Sequence, residues 1–215
     1  PDDLSLLADA RSLFEPGQGF SYSNAGFTLA GAVAQAVPGE PFLDLVRRMF
    51  LAPLGLGTAG YRADDVITER VAMPHWVYDR QAYLLRRAGW QPGWHLMDGD
   101  AAPAGLIASV AHLLAWSRFQ STGTAPDGTV LLAPEALARL HTPVVTCDAQ
   151  DDVALDWFVR DIDGTRTIGH GGVTVGYVSD LIVAPEREAA VVVLTNSANG
   201  SAVHRLVRRW ALERA

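Results

Sequence analysis

A chain of 215 residues with 49% hydrophobic and 19% charged residues has globular composition, long enough to bury roughly 70% of its unfolded surface. A formal net charge of -7 excludes the basic footprint that nucleic acid requires, and no apolar run approaches the ~20 residues that span a bilayer. The sequence holds no Lys, so a mechanism that needs a lysine base cannot be completed by these residues alone, and the single Cys147 excludes an internal disulfide.

In chain order, Pro1-Asp2-Asp3 carries neither an initiator Met nor a signal pattern, which leads to the expectation of a chain that begins inside a longer protein. Phe27, Ala30, Val33, Ala34 and Val37 then recur at helical spacing, with Ser23 or Asn24 placed to cap and Pro38-Gly39 to stop. A second helix is expected from Pro41 to Pro53, with Phe42, Leu45, Val46, Met49 and Phe50 on one stripe. From Arg62 to Pro103 the pattern is irregular and aromatic, including Trp76, Tyr78, Tyr83, Trp90 and Trp94. It reads either as an aromatic cluster pinning a long loop or as a pocket wall. Ser109 predicts the cap of a helix to about Gln120, and Pro134 opens a shorter one.

The last third changes period. Two β-rich runs flank Asp163-Gly164, a hairpin signal, and "GYVSDLIVA" and "EAAVVVLTN" extend them to at least four antiparallel strands. A closing helix carries Val203, Leu206, Val207, Trp210 and Ala211 on a stripe suited to covering a sheet face. The sum is an α+β class, mainly helical over 1–150 and strands with a closing helix over 151–215.

Six His fall in no short ligand spacing and no phosphate-binding Gly fingerprint occurs, so neither a metal nor a cofactor is expected. His170-Gly171-Gly172 stands apart. Two glycines at a strand end let a ligand lie against bare backbone and expose N–H groups to it; a simple bulge before the next strand is the alternative. Such donors are what an acyl-transfer site aims at its oxyanion, each worth on the order of 2.7–4 kcal/mol. Tyr22-Ser23-Asn24 likewise reads as a helix cap or as the acid/base corner of a site.

Taken together and in order, "GFSYSNAGFTLAG", "APAGLIASVAHLLAW" and "IGHGGVTVGYVSDLIVAPEREAAVVVLTNS" resemble the serine hydrolases related to class C β-lactamases and penicillin-binding proteins. The resemblance implies a β-lactamase/transpeptidase-like fold, a helical subdomain plus an antiparallel sheet covered by helices. It implies that Tyr22 is the acid/base residue, that Asn24 orients the base lysine and the substrate amide, and that His170 supplies polarity near the acyl site. Imidazoles titrate near ~6.5, so activity would be pH-sensitive. Gly172 would give clearance and the Val173 N–H would be one of two oxyanion donors. Gly171 and the aromatic residues Trp76, Trp90 and Trp94 are the candidate substrate contacts.

The family's Ser-x-x-Lys, which precedes Tyr-x-Asn, is not in the sequence. The expectation is therefore the C-terminal part of a hydrolase, its N-terminal part missing, that forms an acyl-enzyme on an ester, a D-amino-acid peptide or a β-lactam. His in the strand motif favours an esterase or peptidase over a dedicated β-lactamase. The expected partners are the missing N-terminal segment or a second copy of the chain, and the localisation is left open between periplasmic or secreted and cytoplasmic. One rival is a non-catalytic or incomplete binding module of the same fold. Another is an α/β-hydrolase esterase, disfavoured because no G-x-S-x-G elbow follows Gly172.

Overall fold

Ser23 opens the first helix. In the computed structural model, which describes residues 7–84, 102–148 and 151–212, its backbone is extended (φ -146°, ψ 103°) and its Oγ accepts from the Gly26 N–H at 3.0 Å. That cap starts α1 (Asn24–Ala36). Gly31 is buried on α1 with the Ala102 methyl against its backbone, and an added Cβ would lie 2.4 Å from that methyl, so only glycine fits there.

The single helix expected from Pro41 to Pro53 is instead α2 (Phe42–Val46) followed by a π-helical turn over Arg47–Leu51, in which the Ala52 N–H reaches the Arg47 carbonyl at 2.9 Å. Proline cannot donate, and its ring crowds the carbonyl four residues back. The wider turn brings the chain to Pro53 with Leu51 buried beside Leu54 and Leu56.

The stretch expected to be irregular contains α3 (Ala63–Val66) and a two-stranded ribbon, β1 (His75–Tyr78) and β2 (Gln81–Leu84). Asp79 and Arg80 turn the ribbon with φ of 46° and 60°, a conformation that Asn-Gly usually supplies, so the sequence carries no hairpin signal there. Hydrogen bonds moor the strand and the residues just before it to the end of the main sheet. His75 N–H donates to Asn196 O and Ala198 N–H to His75 O, both at 2.9 Å. Asn196 Nδ2 donates to Met73 O at 2.8 Å, Val77 N–H to Asn199 Oδ1 at 3.0 Å and the Tyr177 hydroxyl to Ala72 O at 2.7 Å.

Helix α4 (Val110–Thr122) begins as expected at Ser109, in a capping box whose third residue is His112. The His112 N–H donates to Ser109 Oγ and the Ser109 N–H to His112 Nδ1, each at 3.2 Å, while Nε2 lies 3.0 Å from Thr58 Oγ1. The imidazole thus ties the helix start to the loop after α2. Gly123, at φ 69°, closes the helix, and α5 (Pro134–His141) follows with Pro134 in its first turn.

The sheet is a six-stranded antiparallel meander in chain order. It runs β3 (Val145–Thr146), β4 (Asp152–Val153), β5 (Phe158–Ile162), β6 (Thr165–Thr174), β7 (Tyr177–Ala184) and β8 (Ala189–Thr195). It begins at Val145, so the first strand precedes the boundary expected at residue 150. Leu181 and Val183 face α4 in a core with Ala154, Trp157, Val159 and Ile168. A second core joins Leu51, Leu54, Leu56, Ala59, Phe119 and Ala125, and Trp116 packs against both.

Residues alternate across a strand, so Asp180 faces the other side, where α6 (Ser201–Leu212) lies. Here the expected apolar stripe is corrected. His204 is buried and bonds Thr195 Oγ1 at 3.2 Å, and Arg208 pairs with the buried Asp180 at 2.6 Å. Val203, Leu206 and Trp210 are turned outward, at 50, 72 and 60% exposure. A carboxylate on the sheet needs a cation over it, and that need outweighs the apolar stripe in choosing which face turns inward. Among the described residues, no helix is long and apolar enough to cross a membrane.

Two of these histidines predict how stability follows pH. Burial lowers the titration point of His141, which bonds the buried Gln120 at 3.1 Å, with the Arg166 charge acting in the same direction. Burial also lowers that of His204. As pH falls below the ordinary imidazole value of ~6.5, the unfolded chain takes up protons that the folded chain refuses, so stability present above that value is lost below it. Thermal midpoints measured from pH 7.5 to 6 are expected to fall, and His141→Gln to flatten the slope by up to about one proton. A variant with the parent's slope would show that His141 titrates alike in both states.

Candidate active site

The hairpin between β5 and β6 turns on Asp163 and Gly164, with φ of 51° and 78°, the conformation of a two-residue turn that closes on a hydrogen-bonded pair. From that pair, Ile162 and Thr165, bonding alternates along β6. Residues 165, 167 and 169 address β5, while 168, 170, 172 and 174 address β7. Pairing with β5 stops at Phe158 and Gly169. The N–H and C=O groups of Gly171 and Val173 therefore point to the side where β5 has ended, and among the described residues no strand pairs with them. Val173 is 79% exposed.

His170 stands at the start of this open edge. Its Nδ1 lies 2.6 Å from the Gly171 carbonyl, and a carbonyl only accepts, so Nδ1 carries the proton and Nε2 presents a lone pair when the ring is neutral. The Tyr22 ring lies 6.0 Å from the imidazole at an interplanar angle of 32°. On another flank the Phe158 ring is 5.5 Å away, and Phe20 stands edge-on to Phe158 at 6.2 Å. Residues 148 positions apart in the chain thus meet. Asn24 occupies the first turn of α1, exposed, and its side-chain amide has no hydrogen-bond partner among the described residues.

Gly172 shares the face of His170, and a Cβ there would come within 2.5 Å of Ser179 Oγ. Gly171 faces the α6 side, where a Cβ would meet only ordinary contacts. Trp76 lies on β1, half exposed, on the ribbon moored at the end of the sheet where β6 finishes; no ring contact joins it to Tyr22 or His170 among the described residues. Trp90 and Trp94 lie outside the described residues.

The larger cavity, about 600 Å³, is elsewhere, lined by Asp148, Asp151, Asp152, Arg160 and Arg166. Arg160 Nη2 donates to Asp151 Oδ2 at 2.6 Å, which holds the Asp151 carboxyl below its usual range, and Arg166 Nη2 donates to the His141 carbonyl. A second, about 420 Å³, is lined by Arg11, Phe14, Phe20, Ser21 and Ser23 and flanks Tyr22. The acyl-transfer groups, not cavity size, decide between them.

The model of the family described as Beta-lactamase matches residues 3–215. The chain belongs to that family. Among curated Beta-lactamase-related proteins it is 28% identical to penicillin-binding protein 4 of Amycolatopsis lactamdurans, covering 90% of this chain and 51% of the relative. It is also 28% identical to a D-aminopeptidase of Gluconobacter oxydans, covering 88% and 34%. The chain thus spans between about a third and about a half of these relatives. In fold it is similar to the octameric penicillin-binding protein homologue from Pyrococcus abyssi, with a TM-score of 0.77, 21% identity, and coverage of 92% of this chain and 43% of that one. It is similar too to a D-amino acid amidase from Ochrobactrum anthropi, with a TM-score of 0.69, 19% identity and coverage of 91% and 56%. The resemblance to the β-lactamase and penicillin-binding protein superfamily is borne out.

For this Beta-lactamase-family chain, two glycines of one strand predict opposite outcomes. Gly172→Ala meets a rotatable hydroxyl and is expected to change stability by less than about 1 kcal/mol, whereas Gly169→Ala meets the Leu181 carbonyl at 2.8 Å and should cost about 1–3 kcal/mol. Urea midpoints of the two variants check this, and equal losses would show that β6 does not approach β7 as closely at Gly169.

Proposed function

We propose that this chain carries the acid/base and oxyanion side of a serine hydrolase site that forms an acyl-enzyme on an ester, a D-amino-acid amide or peptide, or a β-lactam. The observation that carries the reading is the meeting of Tyr22 with His170 on the edge of β6 that also carries the Val173 N–H, which no strand pairs among the described residues. A hydroxyl nucleophile needs a proton acceptor within reach and donors where negative charge develops. Tyr22 supplies the hydroxyl that relays protons: as it takes the nucleophile's proton it passes its own to the lysine amine, and it later donates a proton to the leaving group. The Val173 N–H bonds the developing oxyanion. His170 Nε2 keeps the entry to that edge polar, Gly172 leaves room for the acyl group, and the Asn24 amide addresses the substrate's amide.

The nucleophile and its lysine come, in this reading, from residues outside these 215, since the sequence has no Lys. The same fact favours a second reading, a binding module that keeps the cleft without the chemistry. The names of the relatives support the D-amino-acid class among the substrates. The outer edge of β8 and the outward Val203 and Leu206 fit cover by a preceding segment of the same polypeptide or by a second copy.

The test is to treat the full-length polypeptide with a fluorophosphonate and with a penicillin and to measure denatured intact masses. A covalent adduct is expected, and Tyr22→Phe should lower turnover of an ester or D-amino-acid amide by at least about 100-fold. No adduct would leave the binding-module reading, and an adduct with unchanged Tyr22→Phe turnover would remove Tyr22 from the chemistry.

A further inference from the structure

Two hydroxyls in the sheet repeat one arrangement. Ser179 stands opposite Gly172, and because Gly172 addresses β7, the Ser179 N–H donates to the Gly172 carbonyl within the ladder. The Ser179 Oγ donates to that same carbonyl, at 3.5 Å. One strand further on, Thr195 of β8 stands opposite Val178, and its Oγ1 donates to the Val178 carbonyl at 3.2 Å. Residues of β7 turn alternately to β6 and β8, so the Val178 carbonyl is also the ladder acceptor of the Thr195 N–H. A carbonyl oxygen has two lone pairs, and each of these oxygens has a backbone and a side-chain donor for them.

A peptide group is planar and trans, so its C=O and N–H point in opposite directions. The Val178 carbonyl shares such a plane with the Ser179 N–H, and the Gly172 carbonyl with the Val173 N–H. Joined, they form one line across the sheet: Thr195 hydroxyl to Val178 carbonyl, Ser179 N–H to Gly172 carbonyl, Val173 N–H to the open edge of β6. Every group in that line donates in the same direction, the arrangement in which successive hydrogen bonds polarise one another. The head of the line is buried. The Thr195 hydroxyl has one proton and spends it on Val178, so its oxygen accepts from His204 Nε2 at 3.2 Å and that nitrogen carries the proton.

The line ends where the backbone needs holding. Gly171 and Gly172 have no Cβ to restrict them, β5 has ended beside them, and Val173 is exposed. β7 is the firmer element, paired with β6 on one side and β8 on the other, with Val178 and Asp180 buried on either side of Ser179.

We propose that Ser179 and Thr195 are positioning residues: their hydroxyls complete a line of hydrogen bonds, from His204 through β8 and β7, that aims and polarises the Val173 N–H. Its functional meaning rests on the reading of that N–H as an oxyanion donor, but the line itself is measured without turnover. Both hydroxyls act through peptide planes and not on the reacting atoms.

The experiment uses the full-length polypeptide. Gly172-Val173 is the one Gly-Val pair in these 215 residues, so carbonyl-13C glycine with 15N valine marks that peptide by NMR, as the signal that disappears in Gly172→Ala. Removing a donor weakens the next one along, so the Val173 amide proton is expected to move upfield in Ser179→Ala and in Thr195→Val. Thr195→Ser restores the hydroxyl and should return it. Turnover of an ester or D-amino-acid amide should follow, kcat falling about 3- to 10-fold in the first two variants with KM within about 2-fold, the scale of one neutral hydrogen bond felt in the transition state. Thr195→Val strands the buried His204 N–H, so Ser179→Ala, which leaves the Gly172 carbonyl its ladder donor, carries the test if the threonine variant does not fold. A Val173 signal that stays in place in Ser179→Ala overturns the proposal, whatever the thermal midpoint, and leaves the hydroxyls as ties between strands. A signal that moves while kcat and KM keep their parent values overturns the positioning role. A signal that moves in a protein that forms no acyl adduct upholds the line and brings down the hydrolase reading instead.

Discussion

The site depends on one mismatch of strand length. β6 continues through Thr174, but its partner β5 begins only at Phe158, level with Gly169. Antiparallel bonding alternates, so the overhang keeps every second residue tied to β7 and releases the groups between. A longer β5 would pair with Gly171 and Val173 and abolish the donors. A shorter β6 would leave them without the ladder to β7 that fixes their direction. What stops β5 is the turn at Leu155-Asp156, and what anchors that turn is Trp157, buried in the core and edge-on to His141 at 6.4 Å.

The opposite face is held by polar contacts. Asp180 draws Arg208 down, and Thr195 engages His204, so an ion pair and a hydrogen bond hold α6 against the sheet. Buried ion pairs of this kind add little net stability, but removing one partner leaves a charge stranded. They specify orientation, and here they fix which face of the helix is inward. The moorings of the β1–β2 ribbon work similarly, through Asn196 and Asn199 in the turn between β8 and α6.

Much of this was legible in the sequence where a local rule governs. Ser23 and Ser109 cap because their hydroxyls satisfy backbone donors, Asp163-Gly164 turns because both positions adopt positive φ, and the order of the Tyr-x-Asn and His-Gly-Gly segments carried the family. The failures share a cause. Asp79-Arg80 makes a hairpin from residues that do not advertise one, because the ribbon is held by partners more than a hundred residues away. The α6 stripe was read from its own periodicity, but its orientation was decided by Asp180, on another element.

Trp116 packs against both hydrophobic clusters, one built around α4 and the leucines after α2, the other on the sheet. Its ring contacts with Phe50 and Phe119, at 5.8 and 5.2 Å, tie it to the first, and the sheet residues tie it to the second. A side chain that completes two cores cannot leave either without opening both, so the helical section and the sheet lose their packing together.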